Sequence, residues 1–357
     1  MNIKREISDK LKIVSLISII LVIYIHSYNL KSSDGSILFS LDTSFSYLNS
    51  FIQNIISQGF SRISVPIFFM ISGYLFFTNF NILSYKSKVL KRVYTLLIPY
   101  LSWSMIVVLI FFILQAIPFA SSFFNSMLIK DLSLNELFYK TWIDPINYPL
   151  WFLRDLIVLV VLSPIIFYFI KNFKSLFFLI IGFIWLFGIE IPLYKSESVL
   201  FFAIGGYLSI VNEKLLLIKL SNKIFLLLII AYVLLLSYSA IINILKIDIN
   251  LSMSDIIHKI SILIGVITLW YLLDRINIKT QIILYISDFT FLFYVFHEPL
   301  LTIIKKSMFF LFGFSSVISL VTYLLTPIIV VFCLFIFGKV IKKNLPKTTA
   351  VITGNRI

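Results

Sequence analysis

The chain has 357 residues, of which 60% are hydrophobic and 13% charged, and its formal net charge is +14. This composition excludes an ordinary water-soluble protein and indicates an all-α, polytopic membrane helix bundle. The positive charges are dispersed over many loops, which favours membrane lipid over nucleic acid as a partner. The single cysteine, Cys333, excludes a disulfide framework within the chain and a cysteine-based metal cluster.

Ten apolar runs predict about ten transmembrane helices within one domain, residues 1–345. In chain order the runs cover residues 13–30, 63–80, 95–116, 150–170, 175–193, 198–211, 224–245, 256–273, 282–303 and 313–338. The sixth run is short and contains Gly205 and Gly206, so a tilted, broken or re-entrant segment is the alternative to a full span. Residues 346–357 are predicted to be a short cytoplasmic tail, with no appended soluble domain.

Basic residues predict the orientation, because short cytoplasmic loops are enriched in Lys and Arg. With the N-terminus inside, most of the 30 Lys and Arg residues fall in cytoplasmic segments. Both termini are therefore predicted to face the cytoplasm, and the longest external loops are residues 31–62 and 117–149. In the first of these loops, apolar residues from Phe45 to Phe60 recur at helical spacing. They predict an interfacial helix or an outward extension of the second span.

Ionisable residues in four of the predicted helices share the outer half of the membrane, as counted from each loop at about 1.5 Å of rise per residue. They are His26, Arg62, Arg154, Asp155, His297 and Glu298. Charged groups in a bilayer are costly to bury and mark functional sites by default. Two simpler roles stay open, namely a histidine that packs against a neighbouring helix and an arginine that reaches the headgroups. Adjacent helix positions point to different faces, so His297 and Glu298 need not act together.

Several segments of the chain form an ordered pattern. They are the first helix with its late histidine, Ser61–Phe77, Lys91–Trp103, Pro149–Pro164, Phe201–Leu208 and Phe293–Leu301. In this order they resemble segments of the membrane acyltransferase 3 family, and the resemblance spans nearly the whole chain.

The resemblance implies an O-acetyltransferase of a bacterial cytoplasmic membrane. Such an enzyme takes an acyl group, usually acetyl, from its coenzyme A thioester and delivers it to a hydroxyl of an envelope glycan or a lipid-linked sugar. In that family the histidine of the first helix is regarded as catalytic, which implies this role for His26. The family pattern also includes the residues that match Arg62, Arg154, Ser72, Gly73 and Tyr74.

One position departs from the family pattern. Family members usually carry an arginine eleven residues before the histidine, and this chain has Ser15 there. Lys12 lies on the same helical face as His26, because spacings of eleven and fourteen residues both return close to one face. Lys12 is therefore predicted to replace the arginine or, alternatively, to be an ordinary positive-inside residue. Lys12, Lys91 and Arg92 are predicted to meet the phosphates of the acetyl-CoA cosubstrate, and the resemblance adds Ser72 and Tyr74 to the donor site.

Acyl transfer to an alcohol needs a base for the hydroxyl proton and positive groups for the oxyanion of the thioester carbonyl. His26 is the predicted base, with a covalent acyl-imidazole as the mechanistic rival, and either Arg62 or Arg154 is the predicted oxyanion partner. His297 is predicted to orient His26, relay its proton or contact the acceptor. Asp155, Glu298 and Trp151 are assigned to the acceptor. No metal is predicted, because two histidines without further clustered ligands fall short of a zinc or iron site.

Charged residues that face a cavity between membrane helices also describe a transporter or flippase for a small molecule or lipid-linked sugar. The ten runs have no obvious inverted repeat, which weakens this alternative. Sugar recognition in an enzyme is predicted to involve the external loops, whose aromatic residues can stack on a sugar ring. They include Phe45, Tyr47, Trp142 and Tyr148.

Overall fold

The computed structural model of the protein describes residues 3–30, 44–121, 128–189, 195–245, 251–276 and 280–357. All regular structure within these ranges is helical, which confirms the predicted all-α class. The predicted external loops are described only from residue 44 in the first and on either side of residues 122–127 in the second.

The described part of the chain contains the following α-helices in chain order. Those of the first half are α1 (Ile3–Ser27), α2 (Ser44–Gln53), α3 (Ser64–Phe77), α4 (Tyr85–Arg92), α5 (Ile98–Ala116), α6 (Pro118–Ser121), α7 (Leu134–Trp142), α8 (Trp151–Val161) and α9 (Ser163–Asn172). Those of the second half are α10 (Lys174–Leu186), α11 (Ser196–Ile210), α12 (Asn222–Leu245), α13 (Leu251–Arg275), α14 (Gln281–Ser287), α15 (Thr290–Phe312), α16 (Ser316–Asn344) and α17 (Pro346–Thr353).

Six helical stretches of the described chain are long and apolar enough to cross a membrane. They are Glu6–Ser27, Ser44–Phe77, Ile82–Ala116, Asn222–Ile242, Met253–Arg275 and Ser316–Asn344. The pair formed by α8 and α9 makes a seventh if it is one span bent by 64°, and Pro164 at the start of α9 explains the break because it cannot continue the hydrogen-bond ladder. Each of the ten predicted runs coincides with a helix or a helix pair, whereas the count of ten spans stays a prediction.

The segment from Phe45 to Phe60 extends the second span. α2 continues through a π-helical turn at Asn54–Gly59 and a 3-10 turn at Phe60–Ile63 into α3, and the whole stretch Ser44–Phe77 is one apolar helical segment. Of the two predicted alternatives, the structure therefore has the outward extension.

α3 and α11 pack closely because glycine lets their backbones approach. A Cβ added to Gly73 would lie 2.0 Å from the carbonyl oxygen of Phe202, and one added to Gly205 would lie 1.9 Å from that of Met70. α11 is helical without interruption through Gly205 and Gly206. Of the alternatives to a full span, a break at these glycines is therefore wrong, since they serve a small-residue helix crossing instead; a tilted or re-entrant segment stays a prediction.

α15 runs beside α1 in the same direction, as predicted. Near the start of both helices, the Lys12 ammonium lies 2.8 Å from a carboxylate oxygen of Asp288, and near the end of α1, His26 lies beside Glu298. We call these two levels the N-terminal end and the His26 end of the bundle. The N-terminal end is the one predicted to face the cytoplasm.

Candidate active site

The last turn of α1 brings His26 against two residues of α15. The ring centroids of His26 and His297 are 5.2 Å apart, and Nδ1 of His26 lies 3.4 Å from Oε2 of Glu298. His297 and Glu298, expected from their adjacent positions to point to different faces of α15, therefore both approach His26. Although adjacent helical positions diverge, the long side chain of Glu298 reaches back to the groove between α1 and α15. His26 and Glu298 stay partly open, with 18% and 28% of their side chains exposed.

The tautomer of His297 is fixed by the backbone of α15. Nδ1 lies 2.7 Å from the carbonyl oxygen of Tyr294 and 3.1 Å from that of Phe293. Carbonyl oxygens only accept, so in the neutral ring Nδ1 carries the proton and Nε2 keeps a lone pair. Nε2 is buried without a hydrogen-bond partner among the described residues. His297 therefore offers an acceptor beside His26.

Glu298 is placed to orient His26. Its Oε1 accepts a hydrogen bond from the Thr302 hydroxyl at 3.1 Å, whereas Oε2 is buried without a hydrogen-bond partner in the described part of the chain. Nδ1 of His26 is close to this free oxygen, although 3.4 Å is longer than a formed hydrogen bond. Such contacts often tighten when substrate binds. A proton held on Nδ1 by Glu298 would leave Nε2 of His26 free to act as a base.

Lys305 lies just beyond the ninth predicted run but within α15, and the structure packs it against the end of α1. Its ammonium donates to the carbonyl oxygens of His26 at 2.9 Å and Tyr28 at 3.2 Å. The last carbonyls of a helix lack intrahelical donors and carry partial negative charge, so a cation there holds the helix end in place. The heptad spacing between Glu298 and Lys305 was the signal that both share one face of α15.

A network of buried polar side chains holds the other side of α1. The Gln53 side-chain amide donates to Asn29 and Asn49, at 2.9 Å each, and the Ser319 hydroxyl donates to Asn29 at 2.6 Å. These groups come from α2, α16 and the residues just after α1, and a fully bonded polar network rigidifies its surroundings. Neighbouring helices therefore fix the segment that presents His26.

Arg62 lies in the 3-10 turn before α3 and keeps its charge free of any carboxylate hydrogen bond among the described residues. Its guanidinium donates to the neutral Gln58 side chain, and it interacts electrostatically with both His26 and Glu197. A cation near His26 without a direct acidic partner fits the predicted oxyanion role.

Arg154 has a different environment. It donates to Asp155 at 3.2 and 3.3 Å and to the carbonyl oxygen of Ile143 at 2.9 Å, and the described contacts join neither Arg154 nor Asp155 directly to His26. Trp151, also predicted to contact the acceptor, lies under the Lys195 ammonium at 3.7 Å from its ring centroid. The ionisable residues predicted to converge from four helices thus form two separate groups. His26, His297 and Glu298 form one group, which we call the His26 cluster, and Arg154 and Asp155 form the other.

Tyr148, one of the predicted sugar-stacking aromatics, lies beside His26. Its ring centroid is 6.1 Å from that of His26, and the residue is 60% exposed. Its exposed ring is thus available beside the open side of His26.

A cavity of about 590 Å³ lies at the N-terminal end, within the size range of small-molecule sites. Of the five residues predicted to bind the donor, four line it, and Lys91 is exposed outside it. The four are Lys12, Ser72, Tyr74 and Arg92. Ser15, at the position of the family arginine, also lines the cavity, and Tyr74 donates to the Glu213 carboxylate at 2.6 Å.

Aromatic side chains form a partition between this cavity and the His26 cluster. Phe152 and Tyr294 line the cavity, whereas His26, His297 and Glu298 do not. The ring centroids of Phe152 and Tyr294 are 5.7 Å apart, and that of Tyr294 is 6.4 Å from His297. Ser15 lies about 16 Å below His26 along α1, from the helical rise. A donor in the cavity must pass its thioester arm through this partition to reach His26.

The cluster also has the ligand count of a metal site. Ligand atoms of His26, His297 and Glu298 lie within 4.8 Å of one another, and two histidines with one glutamate bind catalytic zinc in some enzymes. The third ligand was missed in the sequence because Glu298 was thought to point elsewhere. Lys305 interacts electrostatically with Glu298, and this neighbouring positive charge disfavours a second cation there.

Comparison with known proteins supplies the family. Neither a curated protein nor a solved structure matches the chain. The acyltransferase domain of the acyltransferase 3 family matches residues 11–339, a range that includes Leu11, Lys12 and Ser15 of the cavity wall and the whole His26 cluster. The chain is therefore a membrane acyltransferase and belongs to the acyltransferase 3 family.

Proposed function

We propose that the protein transfers an acetyl group from acetyl-CoA to a hydroxyl of a cell-envelope glycan or its lipid-linked precursor, in the cytoplasmic membrane of a bacterium. The observation that carries this proposal is the two-sided arrangement along α1. A cavity with basic residues lies at the N-terminal end, and a partly open histidine–glutamate pair lies at the other.

The reaction proposed at His26 is general-base catalysis. The acceptor hydroxyl oxygen bonds to the thioester carbonyl carbon while Nε2 of His26 takes the hydroxyl proton. The carbon–sulfur bond then breaks, and the proton passes to the coenzyme A thiolate. Glu298, 3.4 Å from Nδ1 of His26, stabilises the imidazolium that forms in between.

Arg62 is the better candidate than Arg154 for the oxyanion of the thioester carbonyl. Arg154 already donates to Asp155 and to a backbone carbonyl, so its charge is largely committed. Arg62 donates to neutral Gln58 and interacts electrostatically with His26. Removing a donor to such an oxyanion costs about 10²–10³ in kcat in other enzymes.

Lipid vesicles that contain the purified protein test the proposal directly. Radiolabelled acetyl-CoA is enclosed and deacetylated envelope polysaccharide is added outside. We expect label on the polysaccharide with the wild-type protein and about 10²–10⁴-fold slower transfer with His26→Asn. Normal transfer by correctly inserted His26→Asn would exclude the base role. Unmodified sugar that accumulates across the bilayer would support the transporter alternative.

Radiolabel that stays on the protein in the absence of acceptor distinguishes a covalent acyl-imidazole mechanism from direct transfer. If His26 forms an acyl-imidazole, radioactivity remains on the wild-type chain after rapid cold denaturation near neutral pH, where this acid-labile adduct survives longest, and is absent from His26→Asn. Direct transfer leaves the chain unlabelled while coenzyme A is released only when the polysaccharide is present. Mass spectrometry of envelope glycans with and without the gene then identifies the acceptor.

A further inference from the structure

The segment after α16, predicted to be a tail, packs against the bundle at the N-terminal end. The buried Trp103 indole of α5 donates to the carbonyl oxygen of Ile352 at 2.9 Å. Thr349 and Thr353 of α17 are 2% and 0% exposed. These contacts hold α17 against α5, so the residues that follow α17 have a defined position.

Gly354 turns the chain immediately after α17. Its φ is +62°, and an added Cβ would lie 2.8 Å from both Cα and the carbonyl oxygen of Thr95. Only glycine fits this left-handed turn against the backbone. The turn leads to Arg356, which lines the 590 Å³ cavity, and whose guanidinium lies 4.0 Å from the centroid of the Phe291 ring.

Arg356 faces a second cation, Arg92, that lines the same cavity. Burial and the nearby Arg92 guanidinium lower the pKa of Arg356 to about 9, so both groups are charged at neutral pH. Within the described ranges neither arginine forms an ion pair with a carboxylate. The cavity carboxylates have other partners, since Asp288 pairs with Lys12 and Glu213 accepts from Tyr74.

Two half-buried guanidinium groups that repel each other are stable together when an anion lies between them. We propose that Arg92 and Arg356 form a phosphate subsite, in which the segment after α17 supplies one of the two guanidinium groups that bind a phosphate group of the acyl donor. This assignment rests on the proposed function for the identity of the donor. Arg356 lies beyond the matched family range, residues 11–339, so the subsite adds a residue of this chain to the donor site.

Donor kinetics of the full chain in phosphatidylcholine nanodiscs test the subsite. The release of free thiol is measured with acetyl-CoA, which yields coenzyme A, and with acetyl-pantetheine, which has no phosphate and yields pantetheine. We expect Arg356→Gln to raise the KM for acetyl-CoA about ten-fold or more with little change in kcat, because a charge-assisted fork is lost. Arg356→Lys keeps the charge and should recover part of the affinity. Lys347→Gln, on an exposed residue of α17, is the matched control and should behave as wild type.

The acetyl-pantetheine reaction separates phosphate binding from a structural role. If Arg356→Gln slows both donors equally, the arginine only holds the segment in place and the subsite is wrong. An unchanged KM for acetyl-CoA would overturn the subsite as well. If the subsite instead binds the phosphate of an anionic lipid, native mass spectrometry detects that lipid on the wild-type protein but not on Arg356→Gln, and coenzyme A binding is unchanged. This result would also reject the donor assignment.

Equilibrium binding of coenzyme A distinguishes failure of the subsite from failure of the proposed function. A wild-type protein that binds coenzyme A but transfers no acetyl group, with binding weakened in Arg356→Gln, supports the subsite and contradicts the proposed reaction. A wild-type protein that transfers acetyl, with equal coenzyme A binding by Arg356→Gln, supports the reaction and contradicts the subsite.

Discussion

His26 depends on α15 for most of its polar surroundings. Glu298 approaches Nδ1, His297 lies beside the ring, and Lys305 donates to the His26 carbonyl oxygen. An isolated imidazole in an apolar helix would have no preferred tautomer and no stabilised cationic form. These contacts supply both, because a carboxylate near Nδ1 favours the proton there and balances the charge of the imidazolium.

Glu298→Gln tests this positioning role. The amide keeps the shape but not the charge, so we expect kcat to fall about 10²-fold or more while the KM for the acetyl donor stays unchanged. Glu298→Asp should recover part of the rate and restore the wild-type shape of the pH–rate profile. Glu136→Gln is the matched control, because Glu136 is exposed and its capping contacts with Ser133 tolerate glutamine. Equal kcat in Glu298→Gln and wild type would exclude an orienting carboxylate.

Removal of metal ions tests whether His26, His297 and Glu298 act as metal ligands. Because Lys305 already places a positive charge near Glu298, we expect acyl transfer to survive dialysis against a strong chelator, with no stoichiometric metal in the purified protein by elemental analysis. Loss of activity that zinc restores would instead identify His26, His297 and Glu298 as metal ligands. His297→Ala would then abolish zinc binding as well as activity.

At the scale of elements, the close crossing of α3 and α11 locates two predicted donor-site residues. Ser72 and Tyr74 flank Gly73, whose Cα faces the Phe202 carbonyl, and both line the cavity. A small residue at the crossing lets the helices approach to backbone contact, so α11 fixes the position of the cavity wall formed by α3.

Alanine at either crossing glycine should separate the two helices. A methyl group at Gly73 or Gly205 would meet a backbone carbonyl at about 2 Å, so we expect each substitution to destabilise the protein by about 1–3 kcal/mol or more. Gly182→Ala is the control, because nothing lies within 4 Å of its added Cβ and alanine favours a helix. Thermal unfolding followed by size-exclusion chromatography gives the comparison. Equal loss of stability in all three variants would mean that the crossing plays no special part.

Hydropathy predicted the elements well and their crossings poorly. Within the described residues each of the ten apolar runs is largely helical, because burial of backbone polar groups in lipid leaves few other choices. His26 and His297 were recognisable because a polar group in such a run is costly. Lys305 and Arg356 were missed, since each depends on contact between distant helices, which a count of residues from a loop cannot give. At Gly205 the sequence left a break open as an alternative, because a glycine that allows close packing and one that breaks a helix look alike in sequence.

At the scale of the whole molecule, the orientation predicted by the basic residues awaits a direct test. In a Cys333→Ser background, single cysteines at the exposed residues Lys130, Lys219 and Lys347 are treated with a membrane-impermeant maleimide. We expect labelling of Lys130→Cys in intact cells, and of Lys219→Cys and Lys347→Cys only after permeabilisation. Labelling of Lys347→Cys from outside would place the arginine pair away from the cytoplasmic donor.

The aromatic partition between the cavity and His26 has a consequence for the energy balance of the cell. A continuous water path from the Lys12 level to His26 would conduct protons and dissipate the gradient that drives ATP synthesis. Phe152 and Tyr294 pack with ring centroids 5.7 Å apart, and apolar rings exclude the chains of water that carry protons. Two packed rings at this level narrow such a path, so we expect the partition to limit proton leak through the enzyme.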